Sequence, residues 1–328
     1  MNIAIVILNW NGKALLEQFL PSVIRFSTDA KVYVADNAST DNSIAFIKTN
    51  YPSVTIIKNT LNGGYAKGYN DALKHVKEPI YCLLNSDIEV TKNWLKPIEK
   101  QFTSEESTAI IQPKLLDYKK KSHFEYAGAA GGFVDAFGYP YCRGRIFNTI
   151  EADKNQYKSD TIFWASGACF FIRKSVFETL NGFDETYFAH FEEIDLCWRA
   201  FNLGYTTKYN QESLVYHVGG ATLDATNPKK TYLNFRNSLF TVVKNAKTLI
   251  LPLIFTRLVL DGIAAAAFLF QFKPKHVFAI LKAHFSFYRA LPRLLKQRKS
   301  TPQKSGYFNS KSIVWSYFIE KKHVFNQF

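Results

Sequence analysis

Apolar residues in the first 115 positions fall into short blocks that alternate between two periods. Residues 3–8 form an unbroken apolar run, as a strand buried on both faces requires. Leu15, Leu16, Phe19, Leu20 and Val23 then recur at helical spacing across 12–26, with Pro21 expected to kink that helix. A second strand is predicted at 31–35, ending at Asp36. A helix follows to about residue 50, with Thr40 and Asp41 as its N-cap candidates. Further strands are read at 54–58, 80–84 and 109–112, with helices at 66–76 and 93–102 between them. Regular alternation of strand and helix predicts an α/β architecture with a mostly parallel central sheet.

The pattern then changes twice. Residues 117–156 carry no clear period and read as loops and short strands. Residues 161–173 read as a strand broken at Gly167, and 191–203 as an amphipathic helix. Beyond Pro228 the chain turns to long helical segments of aromatic, aliphatic and basic residues. The net charge of +14 is concentrated there: residues 229–328 hold 18 Lys and Arg against two acids, while the rest is close to neutral. A basic, apolar C-terminal region suits an anionic membrane surface better than a nucleic acid, which would call for basic charge over the folded body. Residues 249–272 are long enough to span a bilayer, but they include Pro252, Arg257, Asp261 and Gly262. Arg257 and Asp261 are four apart and can pair on one face. An interfacial or bundle-packed helix is therefore expected, with a soluble subdomain as the rival reading. Cys82, Cys142, Cys169 and Cys197 are scattered without a CxxC, which fits a reducing compartment rather than a disulfide scaffold or structural zinc. The opening residues lack the pattern of a secretory signal peptide.

Chemistry gathers at predicted strand ends, where open α/β sheets bind ligands. Asn9, Asp36, the 59–65 loop and Asp87 all sit there. Asp36 can accept hydrogen bonds from a base or ribose, or cap the next helix. The turn Asn62-Gly63-Gly64-Tyr65-Ala66 enters a helix whose N-terminus favours phosphate. It is neither a Walker A loop nor a GxGxxG, and alone it reads as an ordinary turn. Asn85-Ser86-Asp87 follows a buried strand, and a carboxylate fixed there can hold a divalent cation against a diphosphate. Glu192, Glu193 and Asp195 crowd a helix start, which the helix dipole favours. Asp195 is expected to pair with Arg199. Glu192 and Glu193 point apart, so one of them at most is expected to face a cleft, as a general base. His217 is either structural or a metal ligand.

The ordered series VILNWNG, VADNASTDNS, NGGYAKGYN, LLNSD, GACFFIRKSVFETLNGFDE, FEEIDLCWR and VYHVGG resembles family 2 of the inverting nucleotide-sugar glycosyltransferases. Within that family it is most similar to the rhamnosyltransferase-like branch of bacterial surface-polysaccharide assembly. The resemblance runs from about residue 3 to 220. It implies the GT-A fold: a catalytic domain over 1–228, with a donor half to about 115 and an acceptor half after it, followed by a basic helical extension over 229–328.

By the same resemblance, Asn9, Asp36, Asn62, Gly63 and Ala66 border the donor, with Asn85 and Ser86 beside them. Asp87 is the last position of the family's Asp-x-Asp metal motif, whose first position here is Asn85. His217 joins the metal shell, the ion being Mg2+ or Mn2+. Glu193 stands where the family has its general base, with Glu192 in reserve, and Trp164, Gly167 and Ala168 border the acceptor. The donor implied is a nucleotide sugar, with thymidine-diphosphate rhamnose suggested by the branch and a uridine-diphosphate hexose left open. The acceptor is a glycan or polyprenyl-linked glycan, met at the cytoplasmic face of the membrane. A sugar-nucleotide pyrophosphorylase would need a Gly-rich, basic loop after the first strand, which 9–13 lacks. A non-catalytic membrane or nucleic-acid adaptor would leave Asp87, Glu193 and His217 without a purpose.

Overall fold

The computed structural model describes residues 2–219 and 226–328. Gly220, the last residue of the VYHVGG motif, lies outside the described residues. The strands are β1 (Ile3–Asn9), β2 (Lys31–Asp36), β3 (Thr55–Lys58), β4 (Ile80–Asn85), β5 (Ile88–Val90), β6 (Thr108–Asp117), β7 (Gly132–Val134), β8 (Pro140–Cys142), β9 (Arg145–Ile146), β10 (Thr149–Ile150), β11 (Asp160–Ile162), β12 (Cys169–Arg173) and β13 (Thr206–His217). The helices are α1 (Lys13–Phe26), α2 (Ser43–Asn50), α3 (Gly64–Leu73), α4 (Leu95–Ser104), α5 (Lys174–Thr179), α6 (Glu192–Asn202), α7 (Pro228–Asn245), α8 (Ile250–Phe270), α9 (Pro274–Ser300) and α10 (Ile313–Phe318).

The central sheet has nine strands in the order β11-β13-β6-β12-β4-β1-β2-β3, with β5 paired to β13. The ladder β4-β1-β2-β3 is parallel, and β13 is parallel to β6. Antiparallel β12 sits between β4 and β6, and β11 and β5 also run against the main direction. The pleat of β1 explains the three-layer build. Ile3, Ile5 and Ile7 pack with Leu16 and Leu20 of α1 and Ile98 of α4, while Ala4 and Val6 join Ala66 and Tyr69 of α3 on the opposite face.

Boundaries differ from the sequence reading in instructive ways. β6 is longer than 109–112 because β13 pairs along it as far as Asp117. The strand read over 161–173 is two strands with different neighbours, β13 for one and β4 and β6 for the other, and Gly167 lies in the break. α1 continues through Pro21, which sits on its exposed face, where water can meet the freed carbonyl. The N-cap of α2 is Asn42 rather than Thr40 or Asp41, but the Asp41 carboxylate, one residue earlier, accepts from the first amides of two helices, Ser43 and Lys13, both at 3.0 Å. The aperiodic 117–156 stretch supplies the small antiparallel sheet β10-β9-β8-β7.

The C-terminal helices are tied to this body. Asn227 caps α7, and near its other end Lys244 reaches Asp184 at 2.7 Å and Asp195 at 2.9 Å. Arg257 and Asp261 of α8 pair at 4.0 Å on one buried face, as their spacing predicts. Arg257 also donates to Ser238 and the Phe137 carbonyl, both at 2.8 Å. Asp261 accepts from the Tyr139 hydroxyl at 3.1 Å and meets His284 at 3.0 Å. Turning both charges inward leaves the outer face of α8 apolar. Residues 301–328 also pack back: the Ile313 amide donates to Asp135 at 2.9 Å, and Phe325 lies against Phe133 and Tyr141.

Candidate functional site

The carboxyl ends of β1, β2 and β4 lie side by side, because parallel pairing sets Asn9 opposite Asp36 and Leu8 opposite Asn85. Asn9 is fully buried and donates to Asp36 at 3.2 Å and to Ser39 at 3.2 Å, while the Ser39 amide donates to Asp36 at 3.1 Å. Asn37 binds Asn62 and the Gly64 carbonyl at 3.0 and 3.1 Å, and Asn59 donates to Asn37 at 3.1 Å. This asparagine net fastens the strand ends to the start of α3. The sequence reading missed Asn37 and Asn59, although both stand in motifs it had singled out.

The turn before α3 makes a different close approach from the one expected. Gly64 has φ +79°, and a Cβ there would lie 2.3 Å from the Phe188 carbonyl oxygen. The neighbour is the protein's own loop, not a ligand. The Tyr65 amide donates to that carbonyl at 3.0 Å, and the Gly64 amide to Asn62 at 3.0 Å. These first N–H groups of the helix are thus already paired. Gly63 and Ala66 flank this contact, Ala66 being fully buried.

At the end of β4, Asn85 and Ser86 are half-buried and Asp87 is buried. Asp87 Oδ1 lies 3.2 Å from His217 Nε2, because β13 carries His217 opposite Ile88 of β5. His217 Nδ1 lies 3.2 Å from Glu125 Oε1, though the N–H is not aligned for a hydrogen bond, so the contact is ionic. Burial opposes a charged imidazole. The Glu125 charge and the Asp87 bond outweigh it and hold His217 up at about 10. Burial would likewise raise Asp87, but its bond to the His217 imidazolium leaves it lowered. Glu125 comes from the aperiodic 117–156 stretch, where nothing in the sequence singled it out.

The third group is the first turn of α6. His190 and Phe191 both take left-handed backbone, with φ of 69° and 73°, and the Asn237 side chain of α7 holds the Ala189 and His190 carbonyls at 3.0 and 2.7 Å. Two successive non-glycine residues in this region store strain that their surroundings must hold. Glu192 is buried and Glu193 nearly so, and each keeps one oxygen with no hydrogen-bond partner. Burial pushes Glu193 up to about 7. Burial, then repulsion from Glu193, pushes Glu192 well above the ordinary carboxyl range. Both carboxyls are thus enclosed, where divergent helix directions suggested one. Asp195 is different: it pairs with Arg199 at 2.8 Å and with Lys244, a structural role as expected.

The 164–168 segment joins the second and third groups. The Asn85 amide donates to the Ala168 carbonyl at 2.9 Å, the Tyr65 hydroxyl donates to the Gly167 carbonyl at 2.7 Å, and a Cβ on Gly167 would lie 3.7 Å from the Glu193 carboxyl carbon. Gly167 and Ala168 therefore lie between the Asp87 strand end and Glu193. Trp164 does not open onto this space. It is 3% exposed, its indole nitrogen donates to the Phe133 carbonyl at 2.8 Å, and a Cβ on Gly132 would sit 2.0 Å from its ring. Its role is packing, and the expectation that Trp164 borders the acceptor is corrected on that ground. The exposed tryptophan beside the strand ends is Trp10.

The model of the Glycosyl transferase family 2 matches residues 4–180. The chain belongs to this family. It is therefore a glycosyltransferase, and the pyrophosphorylase and adaptor readings are not favoured. It is 25% identical to the low-salt glycan biosynthesis hexosyltransferase Agl10 of Haloferax volcanii over 72% of this chain and 74% of that protein. It is 23% identical to the N-acetylglucosaminyl-diphospho-decaprenol L-rhamnosyltransferase of Mycobacterium tuberculosis over 62% of this chain and 71% of that protein. In fold it is similar to GalNAc-T7 with UDP, GalNAc and Mn2+, at a TM-score of 0.58 and 16% identity. That match covers 74% of this chain and 48% of the other, so the chain spans about half of that longer structure. The sheet and its flanking helices are the GT-A fold, extended by C-terminal helices.

Proposed function

We propose that this glycosyltransferase moves a sugar, with inversion at the anomeric carbon, from a nucleoside diphosphate sugar to a hydroxyl of a lipid-linked glycan in surface-polysaccharide assembly. The observation that carries this reading is Glu193. It is a largely buried carboxyl with one unpartnered oxygen, raised to about 7, beside the 167–168 turn that Asn85 holds next to Asp87. A general base works best with a pKa near the working pH. Glu193 takes the proton from the acceptor hydroxyl as its oxygen bonds to the anomeric carbon. The nucleoside diphosphate leaves from the opposite face with the electron pair of the broken bond, so no covalent enzyme intermediate is formed.

In this reading Asn9 and Asp36 receive the base or ribose, Asn62, Gly63 and Ala66 border the donor, and Asn85 and Ser86 flank the diphosphate. Gly167 and Ala168 border the acceptor. Asp87 and His217 place a carboxylate oxygen and an imidazole nitrogen 3.2 Å apart, and the imidazolium would have to give up its Nε2 proton for the pair to hold Mg2+ or Mn2+. No group of three His, Cys, Asp or Glu side chains among the described residues is arranged for a metal, so diphosphate and water oxygens would complete the shell. A bound cation would supply positive charge to the departing diphosphate. Glu125, behind His217, would fix the ring's orientation. The names of the relatives support a rhamnosyl or other hexosyl donor and a decaprenyl-type acceptor. We assign the donor half to about 1–115, the acceptor half to about 116–228, and residues 229–328 to contact with the cytoplasmic face of the membrane.

A thermal-shift panel of nucleoside diphosphates and nucleotide sugars, with and without Mn2+, tests the reading. A ligand at a hundred times its Kd stabilises the fold by about 2.7 kcal/mol. Metal-dependent stabilisation by a TDP or UDP sugar, absent in Asp87→Ala, is expected. A folded protein that responds to none of them contradicts it.

A further inference from the structure

Between α7, α9 and the loop before α6 lies a cavity of about 480 Å3, lined by Thr186, Tyr232, Arg236, Ser286, Arg289 and Arg293. No carboxylate lines it, and among the described residues none of the three guanidinium groups forms an ion pair. Arg236 is fixed in place. It donates to Asn237 at 2.8 Å, the Tyr232 hydroxyl at 3.3 Å and the Thr186 carbonyl at 3.1 Å, and it stacks on the Tyr232 and Phe240 rings. Arg293 stands over Phe240 and Lys282 over Tyr232. Three guanidiniums lining one hollow, with no acidic partner among the described residues, repel one another, and a multivalent oxyanion relieves that repulsion with charge-assisted, bidentate hydrogen bonds.

A second, independent observation adjoins the first. Phe285 lines the same hollow and continues onto an exposed apolar row with Phe278 and Leu281 of α9. Phe255, Val259, Ile263 and Phe270 are likewise exposed on one face of the neighbouring α8. The outer face of α8 carries no charge, because Arg257 and Asp261 are both turned inward. By length and composition α8 could cross a membrane. Its buried ion pair and its packing on α7 and α9 fit a helix lying in the interface instead. A phosphate-seeking hollow opening onto a hydrocarbon-seeking face matches a lipid with an anionic head. The loop that begins at Thr186 in the wall of the hollow runs directly into Glu192 and Glu193, and Asn237, next to Arg236, holds its Ala189 and His190 carbonyls.

We propose that this hollow binds the phosphate or diphosphate head of the lipid-linked acceptor, whose hydrocarbon chain lies along the outer face of α8 and α9. The identity of the lipid as acceptor rests on the transferase reading above. The phosphate site itself does not.

The test is flotation of the full chain with three kinds of vesicle: phosphatidylcholine alone, phosphatidylcholine with phosphatidylglycerol, and phosphatidylcholine with a polyprenyl diphosphate at matched charge. Soluble pyrophosphate is the fourth probe, read by thermal shift. The expected result is binding at least about tenfold tighter to polyprenyl diphosphate vesicles than to phosphatidylglycerol vesicles, each guanidinium contributing about a factor of ten. Arg289→Gln/Arg293→Gln, at two exposed positions, should abolish that preference and the pyrophosphate response while keeping the nucleotide-sugar thermal shift. Phe278→Ser/Phe285→Ser should weaken vesicle binding and leave the pyrophosphate response intact. Equal binding to the two anionic vesicles by the unaltered protein overturns the proposal, as does an unchanged preference in the arginine variant. Preference for polyprenyl diphosphate in a protein that answers no nucleotide sugar supports the lipid site and sinks the transferase reading.

Discussion

The two sides of the candidate site are built on opposite principles. On the donor side, polar groups mostly satisfy one another: Asn9 with Asp36, Ser39 with both, and Asn37 with Asn59 and Asn62, with Asn9 Oδ1 the one buried atom of this net left without a partner. On the base side, Glu192 and Glu193 are enclosed, each with an oxygen left unpaired, behind two residues of left-handed backbone. In the proposed function the first arrangement is a preformed cradle that orders the donor without reorganising itself. The second holds a desolvated carboxyl whose poor solvation is relieved when it takes a proton. A transferase needs both, because the donor must be held still while the acceptor loses a proton.

The largest expected effect is on the base side. Glu193→Gln keeps the volume and removes the proton acceptor, so turnover should fall by about 10²–10⁴-fold, the usual contribution of a general base, with no change in donor thermal shift. Asp87→Ala strikes the link between the two sides and removes one of two candidate metal ligands. A loss of several kcal/mol of charge stabilisation, or about 10²–10³-fold in turnover, is expected in a product-release assay, together with loss of the metal-dependent shift. Asp36→Asn touches the donor cradle alone. It should weaken nucleotide binding about tenfold, the value of one hydrogen bond to a charged group, and leave turnover at saturating donor nearly unchanged. Gly64→Ala sharpens the comparison through stability. It forces a Cβ against the Phe188 carbonyl at positive φ, so a loss of about 1–3 kcal/mol is expected, read as a Tm lowered by several degrees.

The same contrast explains what the sequence could tell. Much of the donor side was legible because Asn9 and Asp36 end strands whose apolar runs announce them and Asp87 follows such a strand by two residues, whereas Asn37 and Asn59 lie just past the strand ends and were missed. Parallel pairing then brings those ends together without further information. The base side was only half legible. Glu192 and Glu193 stood out as a cluster, but their shared burial depends on Tyr65, the 186–191 loop and Asn237, which meet only in three dimensions. Glu125 was invisible because its segment has no period. Trp164 misled because its neighbours in sequence border the site while its own ring lies under Gly132. Arg257 and Asp261 read as obstacles to crossing a membrane and as a pair on one face, and by pairing inward they clear the outer face of α8 of charge.

The most direct test of the central claim, that Glu193 is the base, is the pH dependence of turnover at saturating donor and acceptor in the unaltered enzyme, Glu192→Gln and Glu193→Gln. A base must be ionised to accept a proton, so turnover should rise with pH through about 7 and level off above it. Two adjacent buried carboxyls do not both ionise near neutral pH, and Glu193 is the one beside the 167–168 turn, where the acceptor is proposed to sit. Glu192→Gln should therefore keep both its activity and the rise near 7, while Glu193→Gln should lose both. An active Glu193→Gln enzyme with the rise intact, or a dead Glu192→Gln enzyme that still binds donor, would contradict the account.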